Sequence, residues 1–434
     1  MEWTKFNIFD EYKDIFFNMR LLYNLGIGFY TLFLRILSPF HPKAKRWVEG
    51  RVNLFVRMEQ TIEKGCKPIW FHFASLGEFE QGRSVMEAIK KKYPNEKILI
   101  TFFSPSGYEV RKNTPLANYV FYLPVDTATY AKRFLQIVDP SFAVFTKYEY
   151  WYHYFRELQR RKIPLFVISA IFREDQVFFK WYGGFFRQIL RNVSFFFAQN
   201  MDSVYWLKAI HITRAGLTGD TRFDRVVELP KQRRDIPEIK TFLEGSSQVL
   251  VAGSTWAEDE HLLADVLLRK DDWKTILAPH EIHDSHLQQI EQLFPSALFF
   301  SRFSSYNLEA VRQANVLIID NIGMLSSLYG YGNIAYIGGG FGAGIHNTLE
   351  AATYGLPVIF GPKYAKFQEA VDLIDLGAAF SIDAAGALER LFTHFTSDRM
   401  QLAGAKAKTY VQEKAGATQI IMKYLESQRL IGSK

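Results

Sequence analysis

The chain has 434 residues, 48% hydrophobic and 22% charged, with 39 Phe and 22 Tyr; this excludes a disordered chain and fits two domains better than one core. A single cysteine, Cys66, excludes an intramolecular disulfide. The net charge of +7 favours anionic partners. No basic tract with interleaved aromatics is present to track a nucleic-acid backbone, so no nucleic-acid partner is expected.

The first expected element is the apolar stretch Leu21–Phe40, interrupted by Asn24 and Arg35. Between Arg20 and Arg35 it is shorter than the ~20 residues a spanning helix needs. Glu2, Asp10, Glu11 and Asp14 precede it and no small-residue cleavage site follows, so it is a poor signal peptide. An interfacial or shallow membrane anchor is expected, ahead of a short span or a buried core helix. Lys43, Lys45 and Arg46 follow directly and suit anionic headgroups, which puts that flank, and with it the main body, on the cytoplasmic side.

From Pro68 onward, short apolar runs alternate with helical stretches. They are "PIWFHF", "KILITFF", "YVFYLP", "FAVFTKY", "PLFVISA" and "SFFFAQN", then "QVLVAGS", "KTILAPH", "ALFFS", "NVLIID", "NIAYIGG" and "LPVIFG". Continuous rather than alternating apolar runs predict strands buried on both faces of parallel sheets, built from βαβ units. The charged, proline-bearing stretch Gly219–Lys240 breaks the pattern and is expected to link two Rossmann-like halves. The expected division is residues 1–50 as anchor and basic flank, 51–225 as first domain, 226–240 as linker and 241–434 as second domain with C-terminal helices. A ligand site is expected in the cleft at the carboxyl ends of the strands.

Several motifs sit at such ends. In "FASLGEFEQG", Glu78 opens a helix after a strand, as a first-turn acid favoured by the helix dipole or as a general base. In "FTKYEYWYHYF", Lys147 and Glu149 alternate with aromatics, offering a second carboxylate with a cation beside it. Arg222 in "TGDTRFD" suits either a phosphate or a local ion pair. "VAGSTWAEDE" carries Ser254 and Thr255, as helix caps or nucleotide contacts. "ILAPHEIH" ends a strand at Pro279 and His280; His283 and His286 lack the further ligands a metal needs, so no metal is expected. The glycine-rich "IGGGFGAGIHNTLEAATYG" is expected to present backbone N–H groups and a helix N-terminus to a phosphate, with Asn347 as cap or contact and Glu350 accepting from sugar hydroxyls. It lacks the acid of a nicotinamide site, and the chain has no Walker motif.

Taken in order, "SLGE", "YEYWY", "GDTRFD", "AGSTW", "NIGMLSSLYG" and "GIHNTLEAATYGLPVIFGP" resemble the motif series of the 3-deoxy-D-manno-octulosonic acid (Kdo) transferases of lipopolysaccharide assembly, from about Trp70 to Phe367. The resemblance implies an α/β GT-B glycosyltransferase: two Rossmann-like domains facing a central cleft, an N-terminal membrane-anchoring helix and neither cofactor nor catalytic metal. CMP-Kdo would be the donor and a lipid A precursor (lipid IVA) the acceptor, at the cytoplasmic face of the inner membrane. Glu78 matches the general base of the family. Glu149 and Arg222 match residues that stabilise the transition state. Pro279, His280, Gly323, Met324, Leu325, Asn347, Thr348, Leu349 and Glu350 match CMP-binding positions, with Ser254 and Thr255 added from the strand-end reading. The chain departs from the family with Lys147 in place of an acid, "APH" for "PRH", Arg222 where Lys is usual, and an additional residue in "GIHNTLE". The alternatives are a GT-B transferase using a UDP-sugar on another membrane-bound acceptor, and a non-catalytic nucleotide-sugar binding protein.

Overall fold

The computed structural model describes the backbone of residues 8–270 and 272–432, with side chains from Asn18 onward. Glu2 and the side chains of Asp10, Glu11 and Asp14 lie outside the described residues. The chain divides into two compact units, one formed by Met1–Asp224 with Gly416–Lys434, the other by Arg225–Ala415.

Unit 1 is built on β1 (Ile69–Phe73), β2 (Ile98–Phe102), β3 (Tyr119–Tyr122), β4 (Ala143–Thr146), β5 (Leu165–Ala170), β6 (Phe195–Ala198) and β7 (Ala215–Leu217). These pair in the order β3-β2-β1-β4-β5-β6-β7, all parallel. The order reverses at β1/β4, the switch point where ligands bind in open α/β sheets. Strands β1 and β2 are buried at every position because helices cover both faces, which is why their sequences do not alternate.

Unit 2 repeats the plan with β8 (Val249–Thr255), β9 (Lys274–Pro279), β10 (Leu298–Phe299), β11 (Val316–Ile318), β12 (Ile334–Ile337), β13 (Val358–Phe360) and β14 (Ala379–Ser381). Its order is β10-β11-β9-β8-β12-β13-β14, again parallel. All twelve apolar runs read from the sequence contain strands. The two further strands, "AGL" and "AFS", are edge strands of three residues, too short to stand out.

Two segments differ from expectation. Gly219–Lys240 is not irregular: Thr221–Glu228 is a helix, and the boundary between the units falls inside it. Gly416–Lys434 groups with unit 1 instead of with the 241–434 span. Its helix Ala417–Ser427 packs on the helix Leu76–Lys92 and buries Ile421, Met422 and Leu425 in the same cluster as Phe71, Phe73 and Ile100. Asp224 caps that helix, accepting from Gly416 N at 2.5 Å and Thr418 Oγ1 at 2.8 Å.

At the other end, α1 (Ile8–Leu37) packs against α2 (Pro42–Glu49) and the helix Gly184–Leu190. One face docks on unit 1. Tyr23 donates to Asp126 at 2.5 Å and Asn24 Oδ1 lies 2.7 Å from His153 Nε2. Asn24, an interruption of the apolar run in sequence, is the polar pin of that face. The opposite stripe, Leu21, Leu22, Leu25, Phe29, Leu32, Phe33 and Ile36, is exposed. No single described helix is long and apolar enough to cross a membrane; the segment Asn18–Leu37 with α2, bent by 117°, passes only as a pair.

Candidate functional site

Parallel pairing puts the carboxyl ends of all strands in a sheet on one rim, and the candidate residues gather there. In unit 1, Ser75 after β1 is the N-cap of the helix Leu76–Lys92. Glu78 Oε2 accepts from Ser75 N at 3.1 Å and from Ser75 Oγ, closing a capping box. Both bonds use Oε2, and Oε1 has no protein partner among the described residues. The carboxylate is thus held by the helix cap while its second oxygen stays available at the rim.

Glu149 follows β4. Its Oε2 accepts from Trp151 Nε1 at 2.9 Å and lies 3.3 Å from His72 Nε2. His72 is fully buried in β1, and its Nδ1 meets Thr101 Oγ1 at 2.9 Å. The sequence reading passed over His72; the signal was a lone polar residue inside the apolar strand "IWFHF". Lys147 and Ser169, at the ends of β4 and β5, hold φ of 51° and 48°. Left-handed backbone at non-glycine residues is strained and concentrates at functional rims.

Arg222 donates through Nε and Nη2 to Asp220 Oδ2, each at 2.8 Å, and the Arg222 N–H meets Oδ1 at 2.9 Å. Burial pushes the Asp220 carboxyl up, but the charge and hydrogen bonds of Arg222, with Lys147 adding, outweigh it and hold the group below the usual carboxylate range. Arg222 keeps 26% of its side chain exposed, so an ion pair orients it without burying it. Glu78 lies near enough to Tyr148 for its charge to add to the burial that raises the phenol.

In unit 2, β8 ends at Ser254, with φ 55°, and Thr255. The Thr255 hydroxyl is buried and donates to Glu260 at 2.9 Å, so it is not open to a nucleotide. Neither hydroxyl caps the next helix; Asp259 does, accepting from Trp256 N at 3.0 Å. Asp259 also accepts from Gly339 N at 2.8 Å and Tyr336 Oη at 2.7 Å, tying the glycine-rich loop to β8. Those glycines serve close packing. A Cβ on Gly338 would lie 2.1 Å from Ser254 O, and one on Gly340 2.5 Å from Gly361 N.

The loop corrects the phosphate-cradle expectation in part. The N–H groups of Gly338, Gly339, Gly342 and Gly344 are committed to Gly253 O, Asp259 and Gly339 O. The helix that follows, Leu349–Ala352, is a single turn, so its dipole is short. Asn347 Oδ1 accepts from Leu349 N at 3.1 Å, and its Nδ2 donates to Glu350 at 3.2 Å. Burial raises the Glu350 carboxyl, against the opposing charge of Arg225. Thr348 and Leu349 are fully buried, leaving only their backbone for any ligand.

At the end of β9, His280 is stacked rather than solitary. Its ring lies 4.2 Å from His346 and 4.8 Å from Trp256, and Trp256 Nε1 donates to His346 Nε2 at 2.9 Å. Burial, with His280 adding, lowers His346 to about 4; burial also lowers His280. This neutral aromatic wall involves Trp256 and His346, which the motif reading quoted but did not single out. His283 and His286 meet different partners. His283 caps its helix by accepting from His286 N at 3.2 Å, while His286 reaches buried Glu260 at 2.8 Å and Glu281 O at 2.8 Å. Gly323, with φ 96°, Met324 and Leu325 follow β11, with Gly323 exposed.

Two parallel Rossmann-type sheets, each with its polar residues on the carboxyl rim, define the GT-B fold class. A UDP-GlcNAc 2-epimerase from Neisseria meningitidis shares this fold at a TM-score of 0.57 and 16% identity, over 83% of this chain and 100% of that one. The family described as 3-deoxy-D-manno-octulosonic-acid transferase (kdotransferase) matches residues 47–225. The 3-deoxy-D-manno-octulosonic acid transferase of Rickettsia felis is 28% identical over 306 residues, 69% of this chain and 64% of that protein. That of Chlamydia trachomatis is 24% identical over 388 residues, 86% and 88% of the two chains. The chain is thus similar to the Kdo transferases over its first unit and in its relatives. It spans 64% of the length of the Rickettsia felis relative.

Proposed function

We propose that the protein is an inverting glycosyltransferase of lipopolysaccharide assembly that moves Kdo from CMP-Kdo to a lipid A precursor at the cytoplasmic face of the inner membrane. The observation that carries the reading is Glu78, whose Oε2 is fixed by the Ser75 cap while Oε1 has no protein partner. In the proposed step, Oε1 takes the proton of an acceptor glucosamine 6-hydroxyl as that oxygen attacks the anomeric carbon. The bond from that carbon to the CMP phosphate breaks, and its electron pair leaves with CMP. Arg222, oriented by Asp220, meets developing negative charge, and Glu149 faces the oxocarbenium-like centre. Unit 2 is assigned the donor through Pro279, His280, Gly323–Leu325 and Asn347–Glu350. The chemistry needs no metal or cofactor.

The exposed apolar stripe of α1 and the basic α2 support a membrane-surface location. The test is mass analysis of the lipid product after incubation with CMP-Kdo and the tetraacylated precursor, for the native protein and Glu78→Gln. A gain of Kdo mass in the native protein alone is expected. No gain in either, with transfer from a UDP-sugar instead, would overturn the donor assignment.

A further inference from the structure

Strand β1 carries one polar side chain, His72, where an apolar residue would fill the core without the cost of burying an imidazole. Alternation along the strand sends Trp70 and His72 to the same face. The parallel register sets His72 beside Thr101 of β2 and Phe145 of β4. Trp70 Nε1 donates to Thr101 Oγ1 at 2.8 Å, and Thr101 Oγ1 lies 2.9 Å from His72 Nδ1. On the other side of the ring, His72 Nε2 lies 3.3 Å from Glu149 Oε2. Four side chains thus form one line from the interior of the sheet to its carboxyl rim.

The direction of the protons along this line follows from its first member. An indole nitrogen only donates, so Thr101 Oγ1 accepts from Trp70 and has its own hydrogen left to give. Given to Nδ1, that hydrogen leaves Nε2 as the protonated nitrogen of a neutral ring, and the Nε2–H points at Glu149. The opposite tautomer would send Nδ1–H to the Thr101 carbonyl, 3.1 Å away, and set the Nε2 lone pair against a carboxylate oxygen. The indole N–H of Trp151 sits nearer that oxygen, at 2.9 Å, than to Nε2, at 3.3 Å, so it too donates to Glu149. Two N–H groups therefore hold Oε2. Oε1 has no protein partner among the described residues, and the side chain keeps 17% of its surface exposed. Glu149 is thereby held as Glu78 is, by one oxygen with the other open.

We propose that His72 is a positioning residue for the transfer step: its Nε2–H fixes Glu149 as an anion with Oε1 presented at the rim, and Trp70 with Thr101 sets the tautomer that allows this. His72 itself touches no substrate. The proposal rests on the role given to Glu149 above and adds what holds that carboxylate in place. A hydrogen bond to a charged group in a low-dielectric interior is stronger than one between neutral groups, so its loss frees Glu149 to turn.

The first measurement is long-range proton–nitrogen correlation spectroscopy on the full-length protein labelled with heavy nitrogen at histidine, the His72 signals being assigned by their loss in His72→Gln. It needs no substrate. A bare Nδ1 and a protonated Nε2 are expected. Thr101→Val keeps the shape of the side chain but leaves only a carbonyl beside Nδ1, and is expected to protonate that nitrogen. The second measurement is steady-state transfer of Kdo at saturating donor. His72→Leu is expected to lower kcat about ten- to hundredfold while the acceptor KM stays within about twofold. His72→Gln, which retains an N–H, is expected to recover part of that loss. In a Glu149→Gln background, His72→Leu is expected to cost nothing more. A protonated Nδ1 in the native protein, or additive losses from His72→Leu and Glu149→Gln, would overturn the proposal. If the native protein transfers no Kdo while Nδ1 is bare and gains its proton in Thr101→Val, the link from His72 to Glu149 stands and the transfer reading alone fails. Thr101→Val carries the kinetic test, with the same expected split, if thermal melting shows His72→Leu unfolded.

Discussion

At the scale of single residues, one carboxylate answers to two demands. Glu78 is a capping-box acid, which is the ordinary explanation of an acid in the first helical turn. The same bond to the cap fixes its carboxylate at the sheet rim. Gln also completes a capping box, so Glu78→Gln separates the roles. Transfer is expected to fall by roughly 10²–10⁴-fold, the usual worth of a general base, while the melting temperature stays within error. A comparable fall in stability would mean that the cap, not the base, explains the residue. Arg222 offers a second test. Arg222→Lys keeps charge but cannot reproduce the fork onto Asp220 Oδ2, so a lower kcat is expected, read by steady-state kinetics at saturating acceptor.

At the scale of elements, α1 is tied down by Tyr23, Asn24 and the residues they meet. Asn24→Leu would leave His153 without its partner, at a cost of about 1–3 kcal/mol, and is expected to lower the denaturant midpoint and expose α1 to protease. His153 also gives the docking a pH dependence. Burial lowers its pKa to about 4 from 6.5, with Arg156 and Arg20 adding. The folded state holds the neutral ring, while the unfolded chain takes up a proton below about 6.5. Stability is therefore retained above that pH and lost as pH falls from 6.5 toward 4. His153→Gln is expected to flatten that part of a melting-temperature profile; an unchanged slope would assign it elsewhere, for instance to His346, which is lowered to about 4 in the same way.

At the scale of the whole molecule, the chain returns to its first unit at the end. Leu425 and Ile421 are 1% exposed, among the strands of unit 1, and the Tyr424 ring lies tilted against Phe195 at 4.5 Å. Leu425→Ala is expected to cost about 2–5 kcal/mol by cavity formation. Hydrogen exchange should locate the loss in β1 and β2 rather than in β8 and β12. The reverse pattern would place the last helix with the second unit after all.

The strands were legible because a segment buried on both faces must be apolar at consecutive positions, and twelve such runs stood out. The rim was legible where a polar residue closed a run, as at Glu78, Glu149 and His280. By itself, then, the sequence determined two parallel α/β halves, the position of the candidate residues at strand ends and the family motif order. Only the tertiary structure decided the partners. It joined His72 to Glu149 across 77 positions and Asp259 to Gly339 across 80. It committed four loop N–H groups that glycine content alone left open for phosphate. It also carried the last helix back to unit 1. The reason is physical: burial pattern and backbone preference are local and leave a periodic trace, whereas a hydrogen bond or cavity between distant segments exists only once their packing is fixed.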